Sequence, residues 1–309
     1  MRVSVLIPLY NQADFVAAAV ASVQAQTHTD WELIVVDDGS TDGGIDRVLV
    51  IKDDRIRVIR QDNSGVSAAR NRGLLEASTS WVALLDADDT WAPSHLSDLV
   101  SLHERYPEAV LLGSAFWYVD KQGRRLRRSA RLGASWTVLT DYCRSVQRQG
   151  MLFVTSSVMV KREAALGLGG FKRGVVAGED LLMWASLASI GQVACLDACS
   201  TFYLEPPMTA LSRGRVIRRP QEPDLVANAL SDLERKPDAL SGLRAFRAGW
   251  YRMRAVLWLE LNERRRCVRE LWRAVQCDGL AWRDVVCLVA LSLPHGWRLS
   301  LLALKRRVI

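Results

Sequence analysis

Residues 31–42 read W-E-L-I-V-V-D-D-G-S-T-D, an apolar, β-branched run that stops abruptly at two carboxylates, a glycine and a serine. Such a run, bounded by turn residues, predicts a buried strand opening into a polar loop. On its N-terminal side, Phe15 to Thr27 places Val16, Ala19, Val20 and Val23 on one helical face, and Val3 to Pro8 is another β-branched run. On its C-terminal side, the turn G-S-T-D-G-G leads to a second helical stretch, a strand at Ile56 to Ile59, a helix at Ser67 to Ala77 and a strand at Trp81 to Leu85. Strand and helix alternating through short connections predict βαβ units, hence an α/β fold with a mainly parallel sheet covered by helices. Ligands of such sheets bind beyond the carboxyl ends of the strands. Four polar clusters follow those ends: P-L-Y-N (8–11), D-D-G-S (37–40), Q-D-N-S-G (61–65) and D-A-D-D (86–89). Any one of them is ordinary turn or cap chemistry. Four at equivalent positions predict a shared site along one edge.

The chain has 309 residues, 49% hydrophobic and 24% charged, enough for a large globular domain and an appendage and unlike a disordered composition. Its six cysteines include no C-x-x-C, and the four histidines lie apart from the acidic motifs, so neither a zinc site nor a disulfide framework is indicated. Reduced thiols and the lack of an export signal pattern at the N-terminus predict a cytoplasmic protein. Charge is uneven: residues 1–210 carry −3 and residues 211–309 carry +10. A basic tail of this kind favours an anionic partner, a membrane headgroup layer or a nucleic acid.

In L-L-D-A-D-D-T-W (84–91), reading the segment as extended places the Asp86 and Asp88 side chains on the same side. Carboxylates crowded there repel and lose hydration, which a hard divalent cation, Mg²⁺ or Mn²⁺, relieves while keeping positions open for substrate phosphates. The competing reading makes Asp88 and Asp89 caps of the helix near Pro93, Asp89 above all. No G-x-S-x-G, H-E-x-x-H or P-loop is present.

V-S-V-L-I-P-L-Y-N, W-E-L-I-V-V-D-D-G-S-T-D, N-S-G-V-S-A-A-R-N-R-G, L-L-D-A-D-D and G-E-D-L-L-M-W, in this order over about residues 1–210, resemble the signature of the family 2 glycosyltransferases of GT-A fold. The resemblance implies that Pro8, Tyr10 and Asn11 line a nucleotide pocket and that Asp38 contacts the base, usually uracil. It implies Asn63 and Arg70 near the nucleotide-sugar, Arg70 as a partner for acids or phosphates, Asp86 facing the ribose or sugar, and Asp88 on the metal. Asp180 matches the family's base for an inverting displacement, with Glu179 as a neighbour that orients the site or acceptor. Acids there are equally explained by the dipole of the helix predicted at Leu181 to Ile190. Trp184 either stacks on an acceptor sugar or packs in the core.

Thr155-Ser156-Ser157 resembles the family's acceptor-facing wall, though strand-edge hydroxyls read the same way. A strand at Val110 to Val119 leads to arginines 124, 125, 127, 128 and 131, read as a solvated hairpin in preference to a phosphate site. The expected domains are 1–215, with a nucleotide-sugar half (1–105) and an acceptor half (106–215), and a basic helical region, 216–309. In the latter, Trp250, Met253, Leu257 and Leu261 form one expected stripe and Val268, Leu271, Trp272 and Val275 another. The apolar run Val285 to Leu293 breaks at P-H-G, too short to span a bilayer. These helices suit the cytoplasmic face of an inner membrane, or they pack on one another or on a second copy of the chain.

The family's processive synthases carry Q-x-x-R-W and transmembrane helices; this chain has neither, which implies addition of one or a few sugars. The expected partners are a nucleotide-sugar donor, UDP-linked, and a glycan or lipid-linked saccharide acceptor of bacterial cell-surface biosynthesis, with no nucleic acid. A nonenzymatic anionic-surface binder and a nucleotidyltransferase are the alternatives, the latter lacking its glycine- and arginine-rich loop after Pro8.

Overall fold

The computed structural model of the protein describes residues 1–129, 135–205 and 219–293. The chain divides into two compact units, Met1–Glu205 and Pro206–Ile309. In the first, the elements run β1 (Val3–Leu9), α1 (Val16–Gln24), β2 (Trp31–Asp37), α2 (Gly44–Leu49), β3 (Ile56–Arg60), α3 (Val66–Glu76), β4 (Trp81–Leu84), β5 (Thr90–Trp91) and α4 (His95–Arg105). They continue as β6 (Ala109–Val119), β7 (Arg125–Arg128), β8 (Trp136–Leu139), α5 (Tyr142–Gln149), β9 (Val158–Lys161), α6 (Arg162–Gly167), α7 (Glu179–Ala188) and β10 (Gln192–Leu204).

The ten strands among the described residues form one sheet, ordered β3-β2-β1-β4-β9-β6-β10-β5, with β7 on β6 and β8 on β10. β3, β2, β1 and β4 are mutually parallel, β10 is parallel to β6, and β9 runs antiparallel between β4 and β6. This is the mixed, mainly parallel sheet that the alternation of elements predicts. β1 and β2 are mostly apolar because helices cover both of their faces, and six of the seven β1 residues are fully buried, whereas the edge strand β3 exposes Arg57 and Arg60. α1 turns Val16, Ala19, Val20 and Val23 inward as its spacing requires. α3 lies so close to β1 that a Cβ on Gly73 would overlap the Leu6 side chain. That approach sets Arg70, one turn earlier, against the strand ends.

The second unit holds α8 (Leu225–Glu234), α9 (Leu243–Glu260), α10 (Arg264–Asp278) and α11 (Trp282–Ser292). The expected apolar stripes are displaced here. α9 buries Trp250 as expected but also Tyr251, Arg254, Ala255, Trp258 and Leu259, while Met253 is exposed; α10 buries Leu271 as expected but also Cys267, Glu270 and Ala274, while Val268 and Trp272 are exposed. The reason is a buried ionic line. Arg254 pairs with Asp224 at 3.0 Å and Glu270 at 3.3 Å, and Trp250 Nε1 donates to Asp224. Paired charges turn inward and carry part of each apolar stripe outward. Among the described residues no helix is long and apolar enough to cross a membrane. Arg131, the P-H-G break and the end of the apolar run after Leu293 lie outside the described residues.

Candidate active site

Because β1 to β4 are parallel, their carboxyl ends deliver all four polar clusters to one edge. The first two loops are sewn together: Asn11 Oδ1 accepts from the Thr41 amide at 2.8 Å, and the Ala13 amide donates to Asp42 at 2.8 Å. Asn11 takes a positive φ of 52°, a conformation that asparagine tolerates better than most residues. Tyr10 and Asn63 are exposed on the rim and Pro8 is half-buried.

Asp38, the expected base contact, is enclosed by the loop of residues 61–65. It is 2% exposed, and its carboxylate accepts from Gln61 Nε2 at 2.7 Å and from the Ser64 and Gly65 amides at 2.9 and 2.8 Å. It buttresses the loop that enters α3 from beneath. Gly39, with φ +78°, lets the same turn approach the Asn63 backbone, which a Cβ would meet at 3.0 Å. Beside this turn is a polar cavity of about 630 Å³ lined by Asp37, Gly39, Ser40, Ile45, Asp46, Arg60, Gln61 and Asp62.

Residues 86–89 form a turn, closed by the Asp89 amide donating to the Asp86 carbonyl at 3.1 Å, so the extended geometry expected for Asp86 and Asp88 does not hold. The acids nonetheless stay close enough to interact. Burial and the Asp86 charge push Asp88 up to about 6. Asp89 is not a helix cap: α4 starts six residues later, behind Ser94. Asp89 is buried instead, accepting from Ser156 Oγ at 2.5 Å and from the Leu204 amide at 2.8 Å, and burial with the Asp88 and Asp86 charges raises it well above the usual carboxylate range.

Ser156 is the hub that sequence reasoning missed as such. Its hydroxyl accepts from the Asp86 amide at 3.0 Å while donating to Asp89, and its carbonyl accepts from Trp91 Nε1 at 2.6 Å. Thr155, Ser156 and Ser157 are all buried, which places them behind the acids and not on an acceptor-facing wall. No local pattern distinguishes such a serine from a strand-edge one. His95, also buried, is pushed down to about 3 by burial and stacks on Trp91, so it is neutral and remote from base chemistry.

Glu179 and Asp180 form the first turn of α7, behind Gly178 with φ +87°. Arg70, whose side chain is 4% exposed, donates through Nη1 to Glu179 at 2.9 Å and through Nη2 to Asp86 at 2.8 Å. Three sequence-distant candidates are thereby joined. Asp180 lies in the same group: burial and the neighbouring Glu179 charge raise it above the ordinary range, against the opposing pull of Arg70.

Trp184 is completely buried, edge-on to Phe171 with ring centroids 6.0 Å apart, and has no face to offer an acceptor sugar; it packs in the core. Of the hairpin arginines, Arg124 pairs with Asp120, Arg127 with Glu205 and Arg128 with Asp197, while Arg125 lies over the Trp117 and Phe202 rings. Among the described residues no group of three or more His, Cys, Asp or Glu side chains is arranged to hold a metal by itself.

The sequence profile of Glycosyl transferase family 2 matches residues 4–166. An uncharacterized glycosyltransferase of Nostoc sp. (strain PCC 7120) is 42% identical over 107 residues, 34% of this chain and 33% of that protein. The UDP-Glc:alpha-D-GlcNAc-diphosphoundecaprenol beta-1,3-glucosyltransferase WfgD of Escherichia coli is 38% identical over 101 residues, 32% of this chain and 40% of that protein. The chain thus spans about a third of the length of the curated relatives it matches. In fold it is similar to residues 1–349 of S. aureus TarS in complex with UDP-GlcNAc, with TM-score 0.68 at 17% identity over 90% of this chain and 81% of that one. It is similar also to the Pyrobaculum calidifontis mannosyltransferase PcManGT in complex with GDP-Man and Mn²⁺, with TM-score 0.59 at 20% identity over 98% of this chain and 85% of that one. With the profile matched over more than half of its length and the strand ends arranged as described, the chain belongs to glycosyl transferase family 2.

Proposed function

We propose that the protein is an inverting glycosyltransferase that moves a hexose or N-acetylhexosamine from a UDP-sugar to a hydroxyl of a saccharide acceptor, one linked to a lipid diphosphate, in bacterial cell-surface glycan synthesis. The observation that carries this reading is the Asp86–Arg70–Glu179 bridge, which brings the acidic turn after β4 and the Glu179-Asp180 turn of α7 to one place. In this reading Asp180 removes the proton of the acceptor hydroxyl, and its raised proton affinity suits a base working near neutral pH. Pro8, Tyr10, Asn11 and Asn63 border the nucleotide, and Asp86 faces the ribose or sugar. The donor class is supported by the family and by relatives whose names carry UDP-sugars.

Asp88, half-buried near the Asp86 charge and already disposed to keep its proton, has the chemistry of a site that a divalent cation would satisfy. Asp88 would hold Mg²⁺ or Mn²⁺. When bound, that cation supplies charge neutralisation to the departing nucleoside diphosphate. Asp180→Asn should abolish transfer while UDP still raises the melting temperature in the presence of Mn²⁺; retained transfer in that variant would remove the base from the proposal.

The helical unit is read as the part that meets the cytoplasmic face of the inner membrane. Trp272 and Trp282 are each 62% exposed, with Val268, Val285 and Val289 also exposed, and α10 is rich in arginine while α11 carries Arg283. Tryptophan, aliphatic residues and arginine together suit an anionic headgroup layer. Co-sedimentation with vesicles containing phosphatidylglycerol, compared with neutral vesicles, tests this; a concentration-dependent dimer without vesicle binding would assign the face to a second copy of the chain.

A further inference from the structure

We infer that Arg70 is a positioning residue: with one guanidinium nitrogen on Asp86 and the other on Glu179, it fixes the first turn of α7, and with it Asp180, against the end of β4. The inference rests on the reading of Asp180 as the base. Of the partners that sequence resemblance implies for Arg70, acids or phosphates, it takes the acids.

Three observations carry it. The guanidinium divides its terminal nitrogens between two acids, at 2.9 and 2.8 Å, and leaves Nε buried with no hydrogen-bond partner, so bridging two elements has taken precedence over a bidentate pair with either one. Its side chain is 4% exposed and lies 5.3 Å from the Phe171 ring, leaving no free edge for a phosphate. The helix that presents it is pinned on both sides of the cleft floor: Gly73 lies against Leu6 of β1, and Asn71 accepts from the Phe171 amide at 2.6 Å and donates to the Phe171 carbonyl at 2.8 Å, tying down the loop before α7. Glu179 is turned inward by the same bridge and is a partner of Arg70, not a contact of the acceptor.

The bridge also sets the charge around the base. The groups facing Asp180 are Glu179 on its own helix, Arg70 from α3, Asp86 from the end of β4 and Tyr142 from α5. Glu179 and Asp86 oppose ionisation of Asp180, and Arg70 favours it. Removing Glu179 and removing Arg70 should therefore move Asp180 in opposite directions, which loss of mere scaffolding does not do.

The test compares Glu179→Gln, Arg70→Gln and Arg70→Lys with the unaltered chain and with Asp180→Asn, reading kcat against pH, donor KM, and the melting-temperature shift given by UDP with Mn²⁺. Glu179→Gln should lower the acidic limb of kcat and Arg70→Gln should raise it, each by about one pH unit. Arg70→Lys keeps the charge but cannot reach both acids; it should leave the limb near its original place and reduce kcat about 10- to 100-fold, with donor KM and the UDP shift little changed. If Arg70→Gln does not fold, Glu179→Gln and Arg70→Lys decide the matter between them. Unchanged kcat and limb in these two variants, or a rise in donor KM with kcat intact, overturns the positioning role while Asp180→Asn remains inactive. Full transfer by Asp180→Asn instead overturns the base reading on which it rests.

Discussion

Each unit of the protein buries one arginine between two carboxylates, and the two clusters differ in what surrounds the bridge. In the helical unit, Arg254 joins Asp224 and Glu270; Asp224 also caps α8 through the Ala227 amide at 3.0 Å and accepts from Trp250, and Arg273 approaches Glu270 at 3.6 Å. Charge there is balanced and serves packing. At the strand ends, Arg70 joins Asp86 and Glu179, yet Asp88, Asp89 and Asp180 crowd the same place and are all pushed toward their protonated forms. One motif thus stabilises in the first setting and, in the second, leaves negative charge in excess. Unbalanced burial marks the site.

The sharpest way to break that comparison is at the excess acids. Asp180→Asn should lower kcat by about 10²- to 10⁴-fold, the range of general-base contributions, without loss of melting temperature. Arg254→Met should do the converse: transfer per folded molecule is unchanged, and chemical denaturation shows a loss of about 3–5 kcal/mol because two carboxylates remain buried without their cation.

Asp88 gives a pH-dependent contrast. Its carboxyl releases its proton near 4 when unfolded and near 6 when folded, so the folded form binds the extra proton between those values and stability falls as pH rises through that window. Asp88→Asn should therefore raise stability in cation-free buffer above pH 6 by up to about 3 kcal/mol, and the gain should vanish toward pH 4. A melting temperature indifferent to pH in both forms would place Asp88 in ordinary solvent. Ser156→Ala should cost about 1–3 kcal/mol in denaturant titration, since the Asp86 amide and Asp89 both lose a buried partner. Smallest of all on the fold, Trp272→Ala with Trp282→Ala should change stability by no more than about 0.5 kcal/mol, as exposed substitutions do, while reducing association with anionic vesicles.

The alternation of β1 to β4 and the gathering of their ends were legible because apolar runs and turn residues report local geometry directly. The acids themselves were legible for the same reason: Asp86, Asp88 and Asp180 each sit where a strand or loop gives way to the next element. What they touch was not. Asp38 as a buttress, Ser156 as a hub and Arg70 as a bridge all depend on pairings 16 to 109 residues apart in the chain, which no periodicity encodes. The helical stripes of α9 and α10 were misplaced because hydrophobic patterning assigns every charge to the outside, and Arg254 and Glu270 are inside. The turn at residues 86–89 was read as extended because the apolar run from Trp81 to Leu85 does not say where the strand ends.

The antiparallel β9 has a mechanical consequence. It stitches β4 to β6, and the turn feeding it is the one that grips Asp86 and Asp89 through Ser156. The left and right parts of the sheet therefore cannot rock like two shells about a hinge without prying the acids loose. Any movement that opens the strand-end edge is therefore expected in the loops above the sheet, with the sheet itself held together by β9.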